Sequence, residues 1–473
     1  MLQAKGFKIA LIILGAFLLA LAASFSASIT FLAVISLVLL AFFYFYSETA
    51  FYFLVAYLPF QLALNLASDI DLISGRLLIL LLFFVIILKS LKGEKIIWSK
   101  NQTAAALILF FLIALISILI SSNQFWGLRK VLVFLSIFPL FFLTQNFITS
   151  GKKLIRLLWV IVGTATISVL IAAAQFVAQF IFGYEMVFNF WGKNIAPSFF
   201  GQSFAQTVLQ NPSWFVDING HTLMRAIGLF PDPHMLAFFI GLVAPLILVL
   251  FFGEKRHRRL LLLVYCFMLI VLFLTFSRGG YLGLLASLLA MGLVSWKKFS
   301  QKTRIFISSL FLVLAAVIVL TPVWARFSSS FNLTEGSNLG RLKIWTEALT
   351  QFEKAPLLGV GLGNYPLALD FNAIYRSAVT SHNLYLDILV ETGIFGLLAW
   401  LWFLGGMLKK LLTEIKGGLT RLSIIATGLL GAIIYFCIHS FFETPIFNPT
   451  ILAYLMIVSA LASSIKNILD NKS

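Results

Sequence analysis

The residues best placed to do chemistry are a histidine and an asparagine directly before a long apolar run. His382 and Asn383 stand in the stretch TSHNLYLDILVETGIFG, and the chain contains only five histidines. The apolar run predicts a helix with Ser381 or Asn383 as its N-cap. The positive end of a helix dipole disfavours a further positive charge, so His382 is expected to be neutral and able to act as a general base. The alternative is a capping histidine with no chemical role.

The helix after His382 should carry one polar stripe. Asn383, Asp387 and Glu391 recur every four residues, which places them on one face of a helix. This spacing predicts that the three side chains support the histidine.

Two arginines are the candidates for binding an anion. Arg278 falls between two apolar runs, where an inserted charge costs about 2.5–3.5 kcal/mol unless it is paired or faces a cavity. Arg225 precedes another apolar run, in a segment that Pro231 and Pro233 should make rigid. Guanidinium groups bind phosphate through bidentate, charge-assisted hydrogen bonds, so both arginines are predicted phosphate ligands. The alternatives are a snorkelling Arg278 and an ordinary loop role for Arg225. His234 could cap a helix, pack or take part in catalysis.

The composition is that of an all-α polytopic membrane protein. Hydrophobic residues make up 61% of the 473 positions and aromatic residues 15%. Apolar runs of about 17–25 residues can cross a bilayer as helices, which predicts about 12–14 transmembrane helices. The candidate spans lie near 8–24, 28–46, 50–67, 76–88, 102–120, 130–148, 157–182, 234–252, 260–276, 280–296, 305–321, 384–408, 422–441 and 449–465. Cys266 and Cys437 fall inside these spans and predict neither a disulfide nor a metal site.

The net charge of +17 follows the membrane topology and does not indicate nucleic acid binding. Most Lys and Arg residues cluster in alternate connections between the spans, as in the stretches 89–100, 152–156, 255–259, 297–304 and 409–421. Positive charge accumulates on the cytoplasmic side of membrane proteins, so both termini are predicted to be cytoplasmic.

This topology divides the chain into five parts with two long outside connections. The predicted parts are N-terminal helices (1–182), a first long outside loop (183–233), central helices with the Ser-Arg-Gly turn (234–321), a large outside loop (322–383) and C-terminal helices (384–473). Long loops are usually functional or disordered, and the aromatic content of these two argues for function. The second contains a predicted short amphipathic helix, Arg341–Phe352, with Leu342, Trp345, Leu349 and Phe352 on one face.

Other signals are weaker. Asp69 and Asp71 resemble a metal-binding acid pair of nucleotide-sugar enzymes, but they are predicted to lie outside, where nucleotide sugars are absent. The stretch GVGLGNY at 359–365 lacks dinucleotide-binding spacing and predicts a turn. No His or Cys cluster has zinc-ligand spacing, so no metal is predicted.

Four stretches in this order resemble the O-antigen ligase and O-antigen polymerase superfamily of bacterial membrane glycosyltransferases. They are MRAIGLFPDPHMLAFFI, TFSRGGYLGLL, GRLKIWTEALTQFEKAPLLGVGLGNY and SHNLYLDILVETGIFGLLAW. The resemblance covers about 225–402 in detail. One departure is PDPH, where the family more often has an asparagine after the proline, which weakens a role for His234.

The resemblance implies a GT-C-like helix bundle in the cytoplasmic (inner) membrane, with its active site on the outer face. The donor would be a glycan on undecaprenyl diphosphate, and no cofactor or metal would be needed because arginines supply the positive charge. Arg225 and Arg278 would bind the diphosphate, with Arg341 as a third candidate. His382 would accept the proton of the attacking hydroxyl, and direct displacement would invert the anomeric centre.

The acceptor stays open at the level of sequence. Lipid A-core would make the enzyme a ligase, which is slightly favoured, whereas another lipid-linked repeat would make it a polysaccharide polymerase. A protein hydroxyl would make it an oligosaccharyltransferase. A transporter or lipid flippase is less favoured because ion-coupled carriers usually place ionisable residues within their spans, and here they gather at one predicted outer face.

Overall fold

The computed structural model describes residues 27–296 and 336–470, apart from short gaps at 68–69, 97–100, 211–212, 219, 254–255, 375–379 and 417–419, together with a few scattered residues between 301 and 316. Within this part the fold is all-α with two small hairpins. The helices are α1 (Ala27–Phe45), α2 (Ser47–Tyr57), α3 (Ser74–Leu91), α4 (Gln102–Ser117), α5 (Gln124–Ile137), α6 (Pro139–Phe147), α7 (Gly151–Phe182), α8 (Tyr184–Phe190), α9 (Ala196–Phe200), α10 (Gln202–Gln210), α11 (Pro233–Gly253), α12 (Arg258–Leu274), α13 (Arg278–Ser295), α14 (Gly336–Lys354), α15 (Tyr365–Leu369), α16 (Leu384–Ile415), α17 (Arg421–His439) and α18 (Pro449–Asp470).

Helices dominate because a bilayer offers no hydrogen-bond partners to an exposed backbone. Among the described residues, nine helices are long and apolar enough to cross a membrane, or ten if α1 and α2 form one broken span. α12 adds an apolar helix of 17 residues. The predicted fold class, an all-α polytopic membrane protein, is confirmed.

Two predicted spans lie outside what the structure describes, and one is wrong. The run 8–24 falls wholly outside the described residues and 305–321 almost wholly so. The predicted span 50–67 ends early, because α2 passes into a 3₁₀ turn at Leu58–Phe60 that contains Pro59. The chain then forms the strand β1 (Ala63–Ala67), which pairs antiparallel with β2 (Ile70–Ile73). α2 and this turn are bent by 119° from the end of α1.

The segment predicted as the first long loop is a folded unit. After α7 it contains α8, a π-helical turn at Trp191–Ile195, α9 and α10. An antiparallel hairpin of β3 (Phe215–Ile218) and β4 (His221–Met224) follows. These elements enclose a small core that includes Trp214 and Met224, both fully buried.

The amphipathic helix predicted in the second segment is present as α14 and is longer than expected. Its packed face differs from the predicted one, because Leu342 and Leu349 are both 44% exposed. The buried position is Ala348, with the indole of Trp345 held by a hydrogen bond from Nε1 to the Ser381 carbonyl at 3.0 Å. The helix is therefore fixed by contacts with the loop before α16, which its own periodicity does not reveal.

The centre of the bundle is built from α11, α13, α17 and α18. α11 and α18 are the most buried of the candidate spans. Gly241 in α11 and Gly283 in α13 both lie against the ring of Tyr435 in α17, where a Cβ atom would collide with it or crowd it. Small residues at such contacts allow helices in a membrane to approach closely.

The GVGLGNY segment is a turn, as predicted, and it packs on a kink in α16. Gly393 lies at the kink with a φ of 67°, and a Cβ there would meet the Leu357 carbonyl oxygen. The Val360 amide donates to the Val390 carbonyl at 2.8 Å, and the Ile394 amide donates to the Pro356 carbonyl at 2.9 Å. The loop thereby supplies hydrogen-bond partners to the Val390 carbonyl and the Ile394 amide, which the kink prevents from bonding within the helix.

Candidate active site

Four helix ends meet at one place in the bundle. The Ser277 hydroxyl, which caps α13, lies 2.9 Å from His234 Nδ1 at the start of α11 and 3.2 Å from His439 Nε2 at the end of α17. The Leu384 amide at the start of α16 donates to the Ser440 carbonyl just after α17. The N-terminal ends of α11, α13 and α16 and the C-terminal end of α17 therefore surround a common region.

His382 stands at this junction in an unusual backbone conformation. Its φ of 48° is in the left-handed region, which is uncommon for residues other than glycine. Of the two predicted caps, Asn383 is the one that caps α16, by accepting from the amides of Tyr385 and Leu386. The Ser381 hydroxyl donates to the Asn383 carbonyl at 2.8 Å. The loop is thus fixed on both sides of the histidine.

The His382 ring is paired with a carboxylate that was not identified from the sequence. Nδ1 lies 3.1 and 3.2 Å from the two carboxylate oxygens of Glu443, in the loop between α17 and α18. A carboxylate accepts hydrogen bonds, so Nδ1 carries the proton and donates it to Glu443. In the neutral ring Nε2 then has a lone pair, and the side chain of His382 is 40% exposed.

Glu443 also acts against the expected effect of the helix dipole on His382. The hydrogen bond and the charge of Glu443 raise the pKa of His382, while burial and the Arg341 charge act in the opposite direction. The helix dipole alone favours the neutral form, whereas the carboxylate of Glu443, which the sequence did not reveal, shifts the pKa of His382 in the opposite direction. An adjacent carboxylate makes an imidazole a stronger base and stabilises the imidazolium that forms when it accepts a proton.

The polar stripe on α16 is buried and has structural partners. Asp387 accepts from the Ser381 amide at 2.8 Å and from the Thr444 hydroxyl, so it joins the loops on both sides of the site. Glu391 forms an ion pair with Lys130 of α5 at 2.6 Å. Asp387 therefore holds the loop that carries His382, whereas Glu391 ties α16 to a neighbouring helix.

Arg225 and Arg278 are both buried, with 6% of each residue exposed. Arg225 Nε donates to the Thr275 carbonyl at 2.7 Å, and its amide donates to the Trp214 carbonyl at 2.8 Å. Arg278 is the first residue of α13, immediately after the capping Ser277. Both arginines are thus held beside the turn between α12 and α13.

Arg341 reaches the site from α14. Its guanidinium carbon lies 6.0 Å from the centre of the Phe442 ring, next to Glu443, and its charge acts on His382. It therefore approaches the histidine from a part of the chain that lies far from Arg225 and Arg278 in sequence.

Asp232 links Arg225 electrostatically to the His382–Glu443 pair, because the charges of Arg225 and Glu443 both act on it. Burial and the nearby Glu443 charge raise the pKa of Asp232 to about 6, and the Arg225 charge opposes this rise. Asp232 also accepts from the amides of His234 and Met235 and so caps α11, a role that the sequence left open for His234. Glu443 thus acts on both Asp232 and His382, with an arginine near each of them.

Four members of this cluster were not identified from the sequence: Asp232, Ser277, His439 and Glu443. Asp232 and Ser277 lie within two of the stretches that carry the family resemblance, whereas the signal for His439 and Glu443 was scarcity, because histidines and acids are rare in so apolar a chain. For Asp71, the structure places its carboxylate against Gly201, while Asp69 lies outside the described residues. Within the described part of the chain, no group of three or more His, Cys, Asp or Glu side chains could hold a metal ion.

Comparison with known proteins gives a family for the part of the chain that contains most of this site. A family model described as O-antigen ligase matches residues 263–401, which include Ser277, Arg278, Arg341 and His382. Arg225 and Glu443 lie outside the matched range. No curated protein matches the chain. Residues 263–401 of this multi-pass membrane protein therefore match the O-antigen ligase family, which supports the O-antigen ligase and O-antigen polymerase superfamily.

Proposed function

We propose that this protein transfers a glycan from undecaprenyl diphosphate to an acceptor hydroxyl at the outer face of the cytoplasmic membrane. The observation that carries the proposal is the His382–Glu443 pair, which presents a basic imidazole nitrogen within reach of the Arg341 charge at the ends of membrane helices. The family match supports glycosyl transfer as the reaction class.

His382 acts as the general base in this reaction. The acceptor oxygen attacks the anomeric carbon as its proton passes to Nε2, while Glu443 holds Nδ1–H and stabilises the resulting imidazolium. The bond between the anomeric carbon and the phosphate oxygen breaks, and its electron pair leaves with the diphosphate. A single displacement of this kind inverts the anomeric centre.

Arg225, Arg278 and Arg341 form the proposed diphosphate site. The leaving diphosphate gains one negative charge as the bond breaks, and guanidinium groups held in a protein interior stabilise such charge without reorganising. Both Arg225 and Arg278 are buried, so their positions are set before the substrate binds. Arginine supplies the positive charge in this scheme, and the proposal requires no metal ion or cofactor.

The proposed orientation follows the distribution of positive charge. Lys and Arg residues cluster in the connections opposite the site, which supports cytoplasmic termini and an active site on the outer side. Lipid-linked glycans, unlike nucleotide sugars, would be presented on that side.

The acceptor defines the class of enzyme, and we favour a ligase that acts on lipid A-core. A polysaccharide polymerase that extends lipid-linked repeats is the alternative and would use the same base and the same diphosphate site. A transporter is less favoured, since the titratable cluster lies at helix ends and not along the spans.

Replacement of His382 in the native host tests the proposal. H382A should abolish transfer of the glycan, because general base catalysis contributes about 10²–10⁴-fold to rate. Loss of all attached glycan with accumulation of lipid-linked polymer would identify a ligase, whereas a single attached repeat would identify a polymerase. The matched control is H221F, which changes an exposed histidine of the β3–β4 hairpin. An unchanged glycan profile in H382A would refute the proposed role.

A further inference from the structure

A second pair of histidines lies beside the proposed base and has no role in the mechanism so far. Ser277 joins them, with its hydroxyl oxygen 2.9 Å from His234 Nδ1 and 3.2 Å from His439 Nε2. His439 and Ser277 are fully buried, whereas His234 is only partly buried. The result is a hydrogen-bonded chain that begins inside the bundle and ends at His234.

The donor and acceptor in each of these hydrogen bonds can be assigned from His439, at the buried end of the series. His439 Nδ1 is buried and has no hydrogen-bond partner among the described residues. The ring is also stacked on Phe238, with their centroids 3.7 Å apart. A buried N–H without a partner is rarer and more costly than an unused lone pair, so the proton of neutral His439 belongs on Nε2. His439 therefore donates to the Ser277 oxygen.

The hydrogen bond between Ser277 and His234 is then also assigned, with Ser277 as the donor. Its oxygen already accepts from the Gly280 amide at 3.3 Å as the cap of α13, so with the His439 bond both of its lone pairs are used. The only hydrogen bond left to Ser277 is donation of its own proton, which goes to His234 Nδ1. In neutral His234 the ring proton must then be on Nε2.

The His234 ring lies close to residues of the proposed diphosphate site. Nε2 makes no hydrogen bond to a described residue and is not fully buried. Arg225, Arg341 and His382 are all close enough to interact electrostatically with this ring. The donor is therefore presented among the groups that the proposed function assigns to phosphate and to proton transfer.

We propose that His234 is a further diphosphate-binding residue, whose neutral Nε2–H donates to a phosphate oxygen, and that Ser277 and His439 are positioning residues that fix its tautomer. This inference rests on the proposed function. A neutral donor adds a hydrogen bond to the phosphate without placing another positive charge beside Arg225 and Arg341, and without opposing protonation of His382.

Binding of undecaprenyl diphosphate to purified protein in nanodiscs, together with a transfer assay, tests the inference. H234F removes the donor and should weaken binding by about 10- to 100-fold, the range for loss of a hydrogen bond to a charged group. H234Q keeps an N–H group near the Nε2 position and should recover most of the affinity. H439F keeps the ring stacked on Phe238 but removes its Nε2, and should weaken binding less than H234F does. H221F is the matched control.

The outcomes separate this inference from the proposed function. If the wild-type protein does not bind undecaprenyl diphosphate, both are refuted. If it binds and H234F binds equally well, only the role of His234 is overturned. A neutral donor also predicts that H234Q leaves the pH profile of transfer unchanged. If H234Q folds and binds but remains as inactive as H234F, or if it removes a limb of the pH profile, His234 transfers a proton and the neutral-donor assignment is overturned.

Discussion

Replacement of Glu443 by glutamine should separate the charge of the carboxylate from its position. The amide oxygen of the introduced side chain can still accept the Nδ1–H bond of His382, so the ring should keep its orientation while its negative partner is lost. The carboxylate is close to Nδ1, at 3.1 and 3.2 Å, and the Glu443 side chain is only 13% exposed. The change therefore acts mainly on the basicity of the histidine.

The expected loss in rate is moderate. A hydrogen bond to a charged group contributes about 1.5–3 kcal/mol. Because the His382 side chain is 40% exposed, solvent screening favours the lower end of that range. About 1.4 kcal/mol corresponds to a tenfold change in rate. E443Q should therefore lower kcat/KM by about tenfold, whereas H382A should lose the full contribution of the general base, about 10²–10⁴-fold.

The pH dependence gives a second and more specific measurement. The Glu443 carboxylate raises the pKa of His382, so the wild-type base is progressively protonated and inactive as the pH falls through that value. E443Q removes the cause of the rise, and the acidic limb of kcat/KM should move to lower pH. Transfer measured in membranes across a pH series, with E185Q as a matched control at an exposed glutamate, would show the shift. An acidic limb that stays in place, or moves to higher pH, would refute the argument that Glu443 tunes the base.

Two further predictions concern the packing that holds the site. G393A should strongly reduce the amount of folded protein recovered in detergent, because Gly393 has a φ of 67° and its added Cβ would collide with the Leu357 carbonyl oxygen. The control is G405A, which should fold normally because no atom lies within 4 Å of its added Cβ. Equal yields of the two variants would contradict this account. K130M removes the ion-pair partner of Glu391, whose side chain is only 4% exposed. The free energy of unfolding should therefore fall by about 3–5 kcal/mol, which thermal unfolding would detect. An unchanged melting temperature would show that the pair contributes little.

Local sequence patterns accounted for the elements and for the ends of several helices. Apolar runs long enough to cross a bilayer must satisfy their own backbone hydrogen bonds, so nearly all of them form helices. The cap of α16 was narrowed to Ser381 or Asn383, and the structure shows Asn383, because capping depends only on residues within a few positions. The span predicted at 50–67 failed because hydropathy does not register the turn at Pro59, after which the chain forms a hairpin.

Only the tertiary structure determined which groups contact the histidines of the site. The helix dipole near His382 could be inferred from sequence, and its effect is about 0.3–1 kcal/mol at an exposed position. Glu443 lies 61 residues further along the chain and contacts the histidine only because α16 and α17 pack together. The same packing joins His234, Ser277 and His439, which come from three separate helix ends. The sequence by itself determined which polar residues the membrane bundle contains, and the packing of the helices determined which of them act on one another.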